Sequence, residues 1–120
     1  MANLLDNGLE PRTSLYGKYF EQFIILEIYR LMKYHEKDWK LSYLTTKDDA
    51  EIDLIIDGKF AIEIKSTDRI DEKEVRAFER LAKDLSGVRL LYVSKDPVSQ
   101  RYGNVECLPW REALLVVMQQ

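Results

Sequence analysis

"AEIDLIIDGKFAIEIKST", residues 50–67, decides the fold of this chain. Two apolar runs flank Asp57-Gly58-Lys59, the pattern of a β-hairpin. Four charged residues, Glu51, Asp53, Glu63 and Lys65, interrupt the runs. Strand side chains alternate. Ile52, Leu54 and Ile56 should therefore share one face, with Glu51, Asp53 and Ile55 on the other. In the second run Phe60, Ile62 and Ile64 oppose Ala61, Glu63 and Lys65. A two-residue turn would pair Ile56 with Lys59, mix the apolar rows and separate Asp53 from Glu63. A three-residue loop, or a bulge at Gly58, aligns the apolar rows and projects all four charged residues from the other face. Burial favours the longer loop.

Carboxylates held side by side on rigid strands repel unless a cation lies between them, and hard divalent cations prefer oxygen donors. Magnesium or manganese suits Asp53 and Glu63. Lys65, on the same face, can orient a water or steady a phosphate as negative charge develops. The constellation fits metal-assisted phosphodiester hydrolysis. Charges alternating along a strand also describe a solvated face with weak cross-strand ion pairs, and Glu-x-Lys is a common tripeptide. Spacing alone leaves both readings open.

Upstream, "SLYGKYFEQFIILEIYRLMKYHE" (14–36) repeats its apolar residues at helical spacing. Glu21 falls in line with Ile24, Ile25, Ile28 and Met32, an acid on an apolar face. If that face packs on the sheet, Glu21 joins the other acids. "KLSYLTT" (40–46) reads as a strand and "KDDA" as a turn, with Asp48 and Asp49 turn residues. "TDRIDEKEVRAFERLAKDLSG" (67–87) reads as a helix opened by a capping box of Asp71 and Glu74, striped by Val75, Phe78, Leu81 and Leu85, and ended by Gly87. "VRLLYVSK" (88–95) resembles a central strand buried on both faces. "DPVSQRYGN" reads as a loop, "VECL" as a short strand and "PWREALLVVM" as a last helix with Pro109 near its first turn. The order is α-β-β-β-α-β-(β)-α, an α/β or α+β domain with a central mixed sheet flanked by helices.

The 120 residues suffice for one domain, 1–120, with a core of its own. No apolar stretch reaches the roughly 18 residues of a membrane span, and "MANLLDNGLEPR" lacks the pattern of a signal peptide. A cytoplasmic protein is expected. One cysteine, Cys107, excludes an internal disulfide and a thiolate zinc cluster, and reads as a buried small hydrophobe. With one histidine, His35, read as solvated, Ser-His and Cys-His catalysis have little support. A net charge of −3 argues against broad attraction to phosphate backbones, so contact with nucleic acid needs local basic groups or bound cations. Lys47, Arg69, Lys95 and Arg101 lie in predicted loops near strand ends, where solubilising charge is the ordinary reading. Trp39, Trp110 and the tyrosines read first as core or interface.

A helical Glu21, a strand Asp53, ten positions to Glu63 and then Glu63-Ile64-Lys65 resemble the PD-(D/E)xK restriction-endonuclease-like superfamily, with Ile52 where its motif has proline. "GKYFEQFIILEI", "AEIDLIIDGKFAIEIKST", "YVSKDP" and "VECLPWREALL" are more specifically similar to DUF4143, the C-terminal domain of a family of prokaryotic AAA+ ATPases. The resemblance implies a restriction-endonuclease-like core and a magnesium-dependent endonuclease-type hydrolase acting on DNA. It implies metal ligation by Asp53, Glu63, the Ile64 carbonyl and Glu21, with Lys65 supporting the attacking water. Ser66, and Glu51 from its place on the charged face, would support the site. It also implies an AAA+ ATPase module as partner; "YGKYF" and "DGKFA" lack the Gly-rich run of a phosphate loop.

A second reading is a catalytically silent module of such an ATPase, binding nucleic acid or protein. A third is a homodimerisation domain using the apolar segment "ALLVVM".

Overall fold

The computed structural model describes residues 14–48 and 50–120. The readings of the first twelve residues and of Asp49 lie outside these. Helix α1 (Ser14–Tyr34) buries Tyr16, Phe20, Ile24, Ile28 and Met32; Ile24, Ile28 and Met32 are as expected, whereas Ile25 is only partly buried and Tyr16 and Phe20 extend the stripe instead. It closes where the Lys37 N–H donates to the Met32 carbonyl (2.8 Å) and Glu36 turns left-handed at φ 56°. His35 is exposed beyond it.

Three strands follow, β1 (Leu41–Thr45), β2 (Glu51–Ile56) and β3 (Phe60–Ile64). Helix α2 (Glu72–Leu81) leads to β4 (Arg89–Ser94), then β5 (Gln100–Tyr102), β6 (Val105–Pro109) and helix α3 (Trp110–Met118). One six-stranded sheet runs β1-β2-β3-β4-β6-β5. β1-β2, β2-β3 and β5-β6 pair antiparallel, β3-β4 and β4-β6 parallel. The domain is α+β with a mixed sheet.

The β2–β3 register settles the hairpin. Leu54 pairs with Ile62, Ile55 with Ala61 and Ile56 with Phe60, leaving Asp57, Gly58 and Lys59 as a three-residue loop. Gly58 takes φ 70°, the left-handed conformation such loops place on glycine.

A second irregularity was not legible. Ser42 pairs with Ile55 and Leu44 with Ile52, so Tyr43 of β1 faces both Asp53 and Leu54. This is a bulge in β2, a device that redirects side chains. It corrects the expectation that Ile52, Leu54 and Ile56 share a face. Leu54 and Ile56 pack with Phe20, Ile24, Ile28, Ile62 and Ile64 beneath α1 and α3. Ile52 instead joins Ala61, Val75, Phe78, Tyr92 and Cys107 beneath α2.

Two further expectations need correction. Residues 100–102, read as loop, form β5, because their backbone pairs with β6 through a turn at Gly103 (φ 60°). Helix α2 stops at Leu81, well before Gly87; Ala82 already has φ −89°, ψ 0°, and Leu85 N–H bonds the Ala82 carbonyl in a further turn. β4 is central and almost wholly buried, as its apolar run implied. Phe23 and Trp110 meet edge to face at 5.5 Å, packing α3 against α1. Ala113, Leu114 and Val117 of "ALLVVM" are spent on the domain's own core, while Leu115 is exposed. Among the described residues no helix is long and apolar enough to cross a membrane.

Candidate active site

The start of β2 and the end of β3 lie side by side. Continuing the hairpin register places Asp53 opposite Glu63. Asp53 Oδ2 accepts a hydrogen bond from the Ile64 N–H at 2.8 Å, which fixes its carboxylate against β3. Glu63 stands beside Tyr92 of β4, its partner in the parallel ladder. Its side chain is only 14% exposed, and Oε1 is buried without a hydrogen-bond partner. Such an orphaned acceptor is uncommon and costly.

Lys65, one alternation further on, is 46% exposed with Nζ 3.9 Å from Glu63 Oε2. That separation is at the limit of an ion pair and leaves the ammonium available to another anion. Glu21 arrives from α1. Together with Ala50, Glu51, Asp53, Glu63, Lys65, Glu74 and α2's Ala77, Phe78 and Leu81, it lines an open cleft of about 360 Å³.

The electrostatics record the crowding. Burial, and then the Asp53 carboxylate beside it, push the Glu63 carboxyl up to about 9 despite Lys65. Burial, followed by Asp53 and Glu51, raises Glu21 to about 7 against the opposing pull of Lys18. Among the described residues no three His, Cys, Asp or Glu side chains are already gathered as a ready cation cage. The donors present still suit a hard divalent cation: carboxyl oxygens on adjacent strands, one of them buried and partnerless.

The expected residues are therefore mostly brought together: Glu21, Glu51, Asp53, Glu63 and Lys65 share the cleft. Ile64 gives its N–H to Asp53 while its side chain fills the core. Ser66 lines an adjoining trough with Thr67, Asp68, Arg69 and Asp71, and its Oγ lies 3.4 Å from where a Cβ on Gly17 would stand. Of the loop cations, Lys95 is engaged by the Tyr16 hydroxyl (3.1 Å) and Asp68 (3.6 Å), and Arg101 lies 4.0 Å from Glu106.

The spacing of Glu74 from Asp71 predicts only half of a capping box. Asp71 caps α2 by accepting from the Lys73 N–H at 2.9 Å, but the Glu74 carboxylate does not complete the box. Its Oε2 accepts instead from the buried Tyr92 hydroxyl at 3.1 Å. Tyr92, a tyrosine within the apolar run "VRLLYVSK", carries no sequence signal for that partner.

A family model described as "Domain of unknown function (DUF4143)" matches residues 16–113. The chain belongs to the DUF4143 family. The match covers α1 from Tyr16, all six strands, α2 and the first turn of α3, and includes every residue named in the cleft. Among curated proteins and among solved structures nothing matches the chain.

Proposed function

We propose that this DUF4143 domain is a metal-dependent nuclease-like hydrolase of DNA phosphodiesters, with a restriction-endonuclease-like PD-(D/E)xK core, working beside an AAA+ ATPase module. The observation that carries the reading is the Asp53–Glu63 pair, locked across the hairpin with Glu63 Oε1 buried and unpartnered beside a loosely held lysine. A purely structural ion-pair face would not bury an acid opposite another acid; a cation offsets that cost.

Asp53 and Glu63 would hold magnesium or manganese, with the Ile64 carbonyl and Glu21 as further donors. Bound there, the ion would polarise the phosphoryl oxygen and acidify a water. The Ile64 N–H fixes the direction of the Asp53 carboxylate. Lys65, exposed at the cleft mouth, steadies negative charge on the phosphate and orients the water. Glu51, exposed beside Asp53, adds negative charge that favours cation entry. Glu63, 14% exposed, is reached by little water.

The test is cleavage of single-stranded, duplex and branched DNA in magnesium or manganese, with chelator as control. Lys65→Ala should abolish cleavage and leave the fold intact, since Lys65 packs no core. Cleavage retained by that variant would remove Lys65 from the mechanism.

A second reading, a silent coupling module of an ATPase, is favoured by the sign of the cleft. Glu21, Glu51, Asp53, Glu63 and Glu74 face it with Lys65, so DNA would be repelled without cations. Absence of cleavage on every substrate by a folded domain that binds no divalent ion would support this reading.

A further inference from the structure

Tyr92 is among the largest fully buried side chains of the domain, at 0% exposure. It lies beside Glu63 in the β3–β4 ladder and contacts Phe78 of α2 edge to face at 6.3 Å. Its hydroxyl reaches out of the core to Glu74, an exposed residue in the first turn of α2. A phenol this deep needs one acceptor, and Glu74 supplies it. Glu74 does so at the expense of its expected role, since the capping box is left open. The result is a carboxylate on α2 held by one oxygen. It lines both the acid cleft and the adjoining trough, as Lys65 does. Among the described residues no second protein group hydrogen-bonds this carboxylate.

The cleft otherwise draws its acids from the strands and α1. Glu74 adds to them an oriented carboxylate from α2. We propose that Glu74 is the α2 wall of the cation site, and that Tyr92 is the positioning residue that aims it. This rests on the cation reading of Asp53 and Glu63. A group that fixes a ligand's direction typically carries about 10- to 100-fold of metal affinity.

Glu74→Gln separates this role from that of a structural tether, because glutamine still accepts the tyrosine hydrogen bond but carries no charge. Manganese affinity of the purified domain, followed by calorimetry, is the readout, with melting temperature in chelator as the measure of fold. The expected result is an unchanged melting temperature and an affinity about tenfold weaker in Glu74→Gln. Tyr92→Phe should also weaken manganese binding. Affinity equal to wild type in Glu74→Gln would overturn the assignment of Glu74. Normal affinity in a folded Tyr92→Phe would overturn the positioning role of Tyr92. Wild type that binds no manganese would instead defeat the cation reading, and this inference with it.

Discussion

Asp53 of β2 is tied to the backbone of Ile64, the residue immediately after Glu63, through a 2.8 Å hydrogen bond. The fold thus holds the two carboxylates together where either could have turned to solvent. A bulge in β2 at Asp53 and a three-residue hairpin loop serve the same placement. The central claim is that this pair is kept for a divalent cation.

Without a cation the pair destabilises the domain. The Glu63 carboxyl is raised from the ordinary range near 4.5 to about 9, so the folded state holds a proton that the unfolded chain releases. Stability is greatest below the unfolded value and is lost as pH rises through about 5 to 9. Glu63→Gln removes this loss. In chelator the gain of the variant over wild type should be small near pH 5 and clearly larger near pH 8, measured by urea unfolding. An equal gain at both pH values would assign the effect to packing.

Divalent ions should reverse that order. Manganese or magnesium at a hundredfold excess over its dissociation constant would stabilise the wild-type domain by about 2.7 kcal/mol. Asp53→Asn keeps an acceptor for the Ile64 N–H but loses the charge, and its melting temperature should not respond. A response of the same size in the variant would place the ion elsewhere.

The hairpin loop depends on Gly58. Its φ of 70° is costly for a side-chain-bearing residue, although nothing within 4 Å would clash with a Cβ. Gly58→Ala should therefore cost about 1 kcal/mol through backbone strain alone. Thermal unfolding should show a drop of roughly 4 °C with the secondary structure unchanged. An unaltered midpoint would mean that the loop adopts another conformation in solution.

Cys107 should be inert. It is buried beside Tyr92 in the α2-side core, and burial pushes its thiol up to about 11. A thiol reagent should modify it only upon unfolding, with a rate that follows urea concentration. Rapid modification of the native domain would show that α2 opens readily.

The helices, the strands of the hairpin and the buried β4 were legible because each expresses its period over several residues. The three-residue loop was legible because only that parity aligns Leu54, Ile56, Phe60, Ile62 and Ile64. Glu21 was legible as an acid in line with apolar residues, and it stands beside the buried stripe of α1 where the cleft opens. The β2 bulge was not, since it depends on how Tyr43 of a neighbouring strand pairs, and no local residue announces it. β5 was missed because three residues, Gln100, Arg101 and Tyr102, carry no periodicity and form a strand only by pairing with β6. Glu74 was assigned to a cap from its spacing, whereas a tertiary partner, Tyr92, claimed its side chain. The end of α2 was set by the turn at Ala82 rather than by Gly87.

The most direct test of the central claim is anomalous diffraction from crystals of the domain grown with manganese. The account predicts a manganese peak bridged by the carboxylates of Asp53 and Glu63, absent in Asp53→Asn. A cleft in which Lys65 closes onto both carboxylates, with manganese bound elsewhere or not at all, would contradict it.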